Sequence, residues 1–216
     1  MSSSVTRVVL REQVKELILE RIVNGTYKPG DRLVETRIAS ELGTSQAPVR
    51  EALRDLELLR FVESEPFRGA RVREVSQEEL MEIYPVRAAL EEVAAREAVK
   101  RLDGQVVEAL EAEVDAMHRA ADAKDLHAQV EHDVAFHRLI VEASGNHVLL
   151  ETWLALRIEA RTIVTALRTG LDGHAIAELH RPVLEAFRAG DAELAATTLR
   201  RHLEQFAELL KRTTSE

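Results

Sequence analysis

The sequence contains no cysteine. A disulfide framework, thiol catalysis and thiolate metal sites are thereby excluded, and any metal centre has to be assembled from His, Asp and Glu. The sequence also lacks an apolar run near the ~20 residues that a membrane helix needs, and Met1 to Leu10 has no apolar stretch of signal-peptide type. These absences lead to the expectation of a cytoplasmic protein without a membrane span. Low-complexity segments and strong internal repeats are missing as well. Nor is there a surplus of positive charge, since 29 Lys+Arg stand against 38 Asp+Glu, a net charge of -9. Taken as an average, that charge is hostile to nucleic acid, but an average over two domains conceals their difference.

What is present supports two domains. A chain of 216 residues, 45% hydrophobic and 31% charged, can bury a core under a solvated surface, and its length suits two compact modules of roughly 75 to 140 residues. Residues 1–76 carry 13 basic against 12 acidic side chains, whereas residues 77–216 carry 16 against 26. All eight histidines, at 118, 127, 132, 137, 147, 174, 180 and 202, fall in the second part. The acidity and the imidazoles belong to one domain, and the other is close to neutral.

In the first part, apolar residues recur with helical period at Val14, Leu17, Ile18 and Ile22, predicting a helix over 7–24 that Gly25 stops. After the turn Tyr27-Lys28-Pro29-Gly30-Asp31, the pattern Leu33, Ile38, Ala39, Leu42 predicts a short second helix ending at Gly43. Ser45 is a candidate N-cap, Pro48 suits a first turn, and Val49, Ala52, Leu53, Leu56 and Leu59 carry a third helix to about Arg60. Phe61-Val62-Glu63 and Ala70-Arg71-Val72 read as short strands around the turn Pro66-Phe67-Arg68-Gly69. Three helices and a hairpin describe a winged helix-turn-helix over 1–73, followed by a linker at 74–78. Residues 79–216 show no strand pattern. Punctuation divides that half into six predicted helices, 77–101, 104–122, 125–143, 147–169, 174–189 and 192–212, whose short connections favour an antiparallel bundle. The fold class is mainly α.

A helix-turn-helix reads DNA with the N-terminal residues of its second helix in the major groove while neighbouring groups hold phosphates. Here that helix begins at Ser45-Gln46-Ala47-Pro48-Val49-Arg50. Arg and Gln have the bidentate geometry for guanine and adenine edges, and Thr44 or Ser45 can bond phosphate beside the helix N-terminal amides. Arg37, Gln46 and Arg50 are therefore base or backbone candidates, and Arg68-Gly69 can bring a cation and a close backbone into the adjacent minor groove. Each of these also has an ordinary reading as a solvated surface charge, Arg50 with Glu51 or Asp55 nearby.

In the second half, Asp133 and His137 are four apart and share one helix face. His180 lies ten residues before the Gly190 turn and His202 twelve after it, so an antiparallel hairpin places them at similar height. His137 lies eight before the Gly145 turn, and alternating helix directions bring all three imidazoles to one level. Apolar neighbours Val183, Leu184, Phe187, Leu199 and Phe206 put His180 and His202 near inward faces. Three imidazoles and a carboxylate suit one divalent metal per chain, zinc foremost, with nickel, manganese or cobalt as alternatives, and leave positions for water or an effector carboxylate. The remaining five histidines fit no such level and are read as surface or turn residues.

The run Gly25-x-Tyr27-x-Pro29-Gly30-x-x-Leu33-x-Glu35, followed by Ile38-Ala39-x-x-Leu42-Gly43 and Ser45-Gln46-Ala47-Pro48-Val49-Arg50-Glu51-Ala52-Leu53-x-x-Leu56, resembles the GntR family signature. Many members have Arg-Thr where Gln46-Ala47 stand here, and Gly where Arg60 ends the third helix. Asp133-x-x-Phe136-His137-x-x-Ile140 with Ala143-Ser144-Gly145-Asn146, then Glu178-Leu179-His180, Gly190-Asp191 and His202-Leu203, resembles the FCD sensor domain of FadR-like GntR regulators. The resemblance covers almost the whole chain. It implies that Asp133, His137, His180 and His202 bind the metal and that an organic or sugar acid docks over it. It further implies that Arg87 pairs with the effector carboxylate and that Asn146 matches a family position, although a helix pair Arg87 to Glu91 and a helix cap at Asn146 explain those two equally well.

The expected function is an effector-responsive transcription regulator, a repressor, with pseudo-palindromic operator DNA and a small carboxylate as partners. It is expected to be a homodimer, because one helix-turn-helix covers only one half-site. Two rivals stand beside it. The dipeptide His132-Asp133 raises a metal-dependent hydrolase of the helical HD type, but His132 and His137 lie ~140° apart around one helix and cannot face one metal. The other rival is a DNA-binding protein whose metal site is purely structural.

Overall fold

The computed structural model describes residues 2–65 and 69–212. They form two compact units, Met1–Val75 and Ser76–Glu216.

In the first unit α1 (Ser2–Val23) buries Val14, Ile18 and Leu19, and Gly25 at φ 77 ends its run. β1 (Arg32–Leu33) comes next, then α2 (Glu35–Glu41), α3 (Gln46–Leu58), β2 (Val62–Glu65) and β3 (Gly69–Val72). The sheet order is β1-β3-β2, all antiparallel, with Leu33 opposite Ala70 and Val62 opposite Val72. Sequence periodicity assigned Leu33 to the second helix, whereas the structure puts it in a strand. The Pro29-Gly30 turn sends the chain back along β3, where Gly30 N donates to Val72 O at 2.9 Å and Val72 N to Asp31 O at 2.9 Å. A two-residue strand is too short to leave a periodicity of its own. Val49, Ala52 and Leu56 of α3 are fully buried, so its apolar stripe docks inward and its opposite face stays exposed. The hairpin tip expected at Pro66-Phe67-Arg68 lies outside the described residues.

The second unit is all helical among the described residues: α4 (Gln77–Val99), α5 (Gly104–Ala123), α6 (Leu126–Ala143), α7 (His147–Ala155), α8 (Glu159–Thr169), α9 (Gly173–Glu178), α10 (Arg181–Arg188) and α11 (Ala192–Arg212). Short polar caps start five of them. Ser76, Asp103, Asp125, Asn146 and Asp172 each accept a backbone N–H three residues on, which satisfies a donor that no helical carbonyl can reach. α4 packs along α11, and α5 along α6, around a core that includes Phe136, Phe187, Met117 and Leu199. No helix among the described residues is long and apolar enough to cross a membrane.

Two predicted helices are broken. The block 147–169 divides at Arg157, which takes φ 48, and Arg161 Nη1 bonds the carbonyls of Leu156 and Arg157 left open there. The block 174–189 divides at Leu179-His180, because Pro182 has no N–H to continue the α9 ladder and its ring clashes with the carbonyl four residues back. Both interruptions are invisible to apolar period, which runs through them unchanged.

Candidate metal centre

Asp133 and His137 project from α6, His180 is the N-cap of α10, and His202 lies on α11. All four side chains are buried. The ring centroids of His137 and His180 are 5.5 Å apart, those of His137 and His202 5.2 Å, and those of His180 and His202 4.4 Å. One ligand nitrogen from each imidazole lies within 4.8 Å of the others.

The Nδ1 atoms explain which nitrogens face inward. His137 Nδ1 meets Glu91 Oε2 at 2.5 Å, His180 Nδ1 meets Ile176 O at 3.0 Å, and His202 Nδ1 meets Leu179 O at 3.0 Å. Carbonyl and carboxylate oxygens only accept, so each Nδ1 carries a proton, and in the neutral imidazole the lone pair is then on Nε2. Nε2 of His180 and of His202 are buried with no hydrogen-bond partner. His180 Nε2 is 3.2 Å from Asp133 Oδ1, close but outside hydrogen-bond geometry. Buried lone pairs without donors are costly unless something electropositive meets them. Imidazoles oriented by outer-shell acceptors are the arrangement that metal-ligating histidines adopt. The residues present therefore fit a divalent ion.

The helix break supplies two of those acceptors. At Pro182 the ladder lapses, so His180 N donates to Ala177 O and Val183 N to His180 O. Ile176 O and Leu179 O are thereby released to take the imidazole protons of His180 and His202.

Electrostatics holds the carboxylates charged. Burial opposes ionisation of Glu91, but the His137 and Arg87 charges and bonds from His137 and Trp153 keep its carboxyl at about 2. Burial likewise opposes Asp133, but the His180 and His137 imidazoles beside it and the Arg87 guanidinium keep its carboxyl at about 2. For His202, burial first and then the charges of His180 and His137 push the imidazole well below its ordinary value, so it stays neutral and able to ligate.

A cavity of about 20 Å³ adjoins the cluster, lined among others by Tyr84, Arg87, Asp133, His137, Thr162 and His202. That is room for one ion or one or two waters. Arg87 Nε donates to Glu91 Oε1 at 3.0 Å, as a helix pair would, while its Nη2 has no partner. Thr162 Oγ1 is also buried and unpartnered, and Tyr84 Oη bonds Thr165 Oγ1 at 3.1 Å. Burial pushes the Tyr84 hydroxyl up to about 12, so it remains a neutral donor. Arg87 Nη2 and Thr162 Oγ1 are thus buried polar atoms without a hydrogen-bond partner on residues that line the cavity.

Asn146 does not join this site. It is exposed, accepts from Leu149 N at 3.1 Å, and does not line the cavity, so the cap is its role here. His132 is bound to Glu113 at 2.8 Å on a half-exposed face, which leaves the His132-Asp133 dipeptide split between two environments. His118 and His174 meet each other at 3.1 Å, and His127 pairs with Glu131 at 3.4 Å. Sequence reasoning missed Glu91, Trp153, Tyr84 and Thr162. Tyr84 and Glu91 did leave a signal, since they stand three before and four after Arg87 on one helix face.

In the first unit Arg37, Ser45, Gln46 and Arg50 are exposed and Thr44 is half-buried. Ser45 precedes α3 in extended backbone without a side-chain cap bond. Arg50 pairs with Glu35 at 2.7 Å rather than with Glu51 or Asp55, and Arg37 with Glu41 at 2.9 Å. Gly69 takes φ 80, and Arg68 lies outside the described residues.

Residues 10–72 match the family described as bacterial regulatory proteins, gntR family, and residues 82–205 match the FCD domain. The chain is 37% identical over 202 residues to the "Probable D-xylose utilization operon transcriptional repressor" of Paenarthrobacter nicotinovorans, covering 94% of this chain and 89% of that one. It is 30% identical to the HTH-type transcriptional repressor GlaR of Escherichia coli K12, over 84% and 87% of the two chains. The solved structure of E. coli McbR/YncC is similar at 26% identity with a TM-score of 0.70, covering 95% of this chain and 98% of that one. A three-helix unit with a β-wing, an all-helical unit built around inward histidines, and matches across both lead to one conclusion: the chain belongs to the gntR family of bacterial regulatory proteins, as a DNA-binding transcriptional regulator with an FCD domain and not an enzyme.

Proposed function

We propose that this regulator is a metal-dependent sensor of a small organic or sugar acid, and that it acts as a homodimeric repressor on a pseudo-palindromic operator. One divalent ion per chain, held by Asp133, His137, His180 and His202, would supply a Lewis-acidic anchor for a carboxylate. Glu91, Ile176 O and Leu179 O keep the three imidazoles in the ligating tautomer, Arg87 Nη2 offers a charged donor to the same carboxylate, and Thr162 Oγ1 offers a neutral one. The observation that carries the reading is the pair of buried, partnerless Nε2 atoms of His180 and His202, the first of them 3.2 Å from Asp133, with every Nδ1 already bonded. The xylose-utilisation relative, a repressor by name, supports a link to carbohydrate utilisation and a repressing role.

On DNA, the exposed N-terminal end of α3 with Gln46 and Arg50, together with Arg37, Thr44, Ser45 and the wing at Arg68-Gly69, forms the reading surface. Arg50 and Arg37 leave their carboxylate partners for the phosphates or bases they meet.

The experiment combines metal analysis with operator titration. Protein purified without chelator should contain about one divalent ion per chain, and His180→Ala should lose it. One acid from a panel of hydroxy, keto, di- and sugar acids should weaken operator binding by ~5 to 150-fold, in metal-loaded protein only. Full metal content in a His137, His180 double alanine variant overturns the metal assignment. A tightly bound acid that leaves operator affinity unchanged overturns the sensor.

A further inference from the structure

The metal cavity is too small for the body of an organic acid, and a second space lies beside it. An outer chamber of about 610 Å³, open to solvent, is lined by residues from the end of α5 to α9, including Lys124, Leu167, Leu171, Asp172 and His174. It shares four lining residues with the metal cavity, Leu126, Gln129, Ala166 and Ile176. The two spaces are therefore neighbours that share part of their lining. A volume of this size falls within the range of small-molecule sites, whereas about 20 Å³ holds only an ion or one or two waters.

Gln129 is the polar member of that shared lining. Its side chain is buried, and Nε2 donates to Gly173 O at 2.5 Å. Gly173 makes the contact possible, because a Cβ there would lie 2.8 Å from Gln129 Oε1 and 2.7 Å from Ala121 Cβ. Gln129 is thus the one polar side chain among the four shared residues, and its amide is tied to one carbonyl. An amide rotates away at the cost of one hydrogen bond, about 1 kcal/mol net when water or a ligand replaces the partner.

We infer that the outer chamber is the distal half of the effector site: an acid whose carboxylate meets Arg87 and the metal extends past Gln129, and its carbon body lies between Leu167 and Leu171. The walls combine leucine side chains with Lys124, Asp122, Asp172 and His174 at the rim, which suits a hydroxylated chain of several carbons rather than a two-carbon acid. The inference rests on the acid-sensing function proposed above.

Calorimetric titration of metal-loaded protein with unbranched 2-hydroxy acids of two to six carbons tests it. Affinity is expected to rise with length in the unaltered protein. Leu171→Trp narrows the outer chamber at a residue that does not line the metal cavity and should cost the six-carbon acid roughly tenfold, while the two-carbon acid and the metal content stay within about twofold. Leu167→Trp, at an exposed position that also lines the outer chamber, provides the same test where Leu171→Trp does not fold. A flat length profile, or both tryptophan variants lowering short and long acids equally, overturns the distal subsite and leaves the acid sensor standing. No binding of any acid by the unaltered protein removes the sensor and this inference together.

Discussion

Glu91 is fully buried and takes three bonds, from Arg87 Nε at 3.0 Å, Trp153 Nε1 at 2.7 Å and His137 Nδ1 at 2.5 Å. One carboxylate thus balances a buried guanidinium and orients the His137 imidazole. Removing it as Glu91→Ala strands the Arg87 cation in the core, and breaking a buried pair in this way costs about 3 to 5 kcal/mol. Denaturant unfolding should register that loss. Glu91→Gln keeps the shape and an acceptor for Arg87 or Trp153 but withdraws the charge. It is expected to fold and to weaken metal binding by roughly 10 to 100-fold, the usual range for an outer-shell partner. Competitive chelator titration reads the difference, and metal affinity equal to the parent's would show that Glu91 serves Arg87 alone. Arg60 is a residue-scale matter of a different kind. It sits at φ 65 after α3, a conformation glycine adopts without strain, so Arg60→Gly should raise stability by about 0.5 to 1 kcal/mol in thermal unfolding.

At the scale of elements, the interruption between α9 and α10 matters more than any helix it separates. Pro182→Ala restores a donor where the ladder lapses and lets α9 run on toward α10. Ile176 O and Leu179 O would then return to helical N–H groups, and the imidazole protons of His180 and His202 would lose their acceptors. The expected result is a protein as stable as the parent without metal, or more so, that binds the ion at least tenfold more weakly. Parent-like metal affinity in chelator competition would detach the break from the site. Asn146 is a simpler element-level case. As the α7 cap it should cost ~1 kcal/mol when changed to Ala, with acid binding unaltered.

At the scale of the whole molecule, protonation links metal and stability. His202 has its imidazole depressed in the folded state, so the unfolded chain binds more protons below about pH 6.5 and stability falls as pH drops through that value. Asp133 and Glu91, both held at about 2, add losses only below the ordinary carboxylate range. Denaturant midpoints of chelated protein should therefore decline between pH 7.5 and 5.5, with the metal-loaded form declining further because acid also displaces the ion. Operator binding is the other whole-molecule property. Arg50→Ala should cost ~1 to 3 kcal/mol concentrated at one base if Arg50 reads an edge, or lower affinity uniformly with a shallower salt slope if it holds phosphate. Unchanged affinity at matched salt takes Arg50 out of the interface. Effector and operator should oppose each other by one common factor, since coupling free energy is reciprocal.

The sequence by itself determined the division into a near-neutral winged unit and an acidic helical unit, the ends of most helices, and the four residues proposed as ligands. Period, caps and glycine stops are local properties, and the heights of His137, His180 and His202 follow from helix rise and the positions of turns. Tertiary structure alone decided the rest. Leu33 is a strand residue because a partner strand supplies its hydrogen bonds, and no local period records that. The breaks at Arg157 and Pro182 interrupt helices whose apolar stripe continues through them, so the stripe kept the correct face while concealing the change of direction. Glu91 and Trp153 joined the site from helices α4 and α7, distant in sequence, because burial required a partner for Arg87 and for an imidazole proton. Spacing tells which residues share a face. Only packing tells which faces meet, and a buried polar group acquires its role from whatever is brought within 3 Å of it.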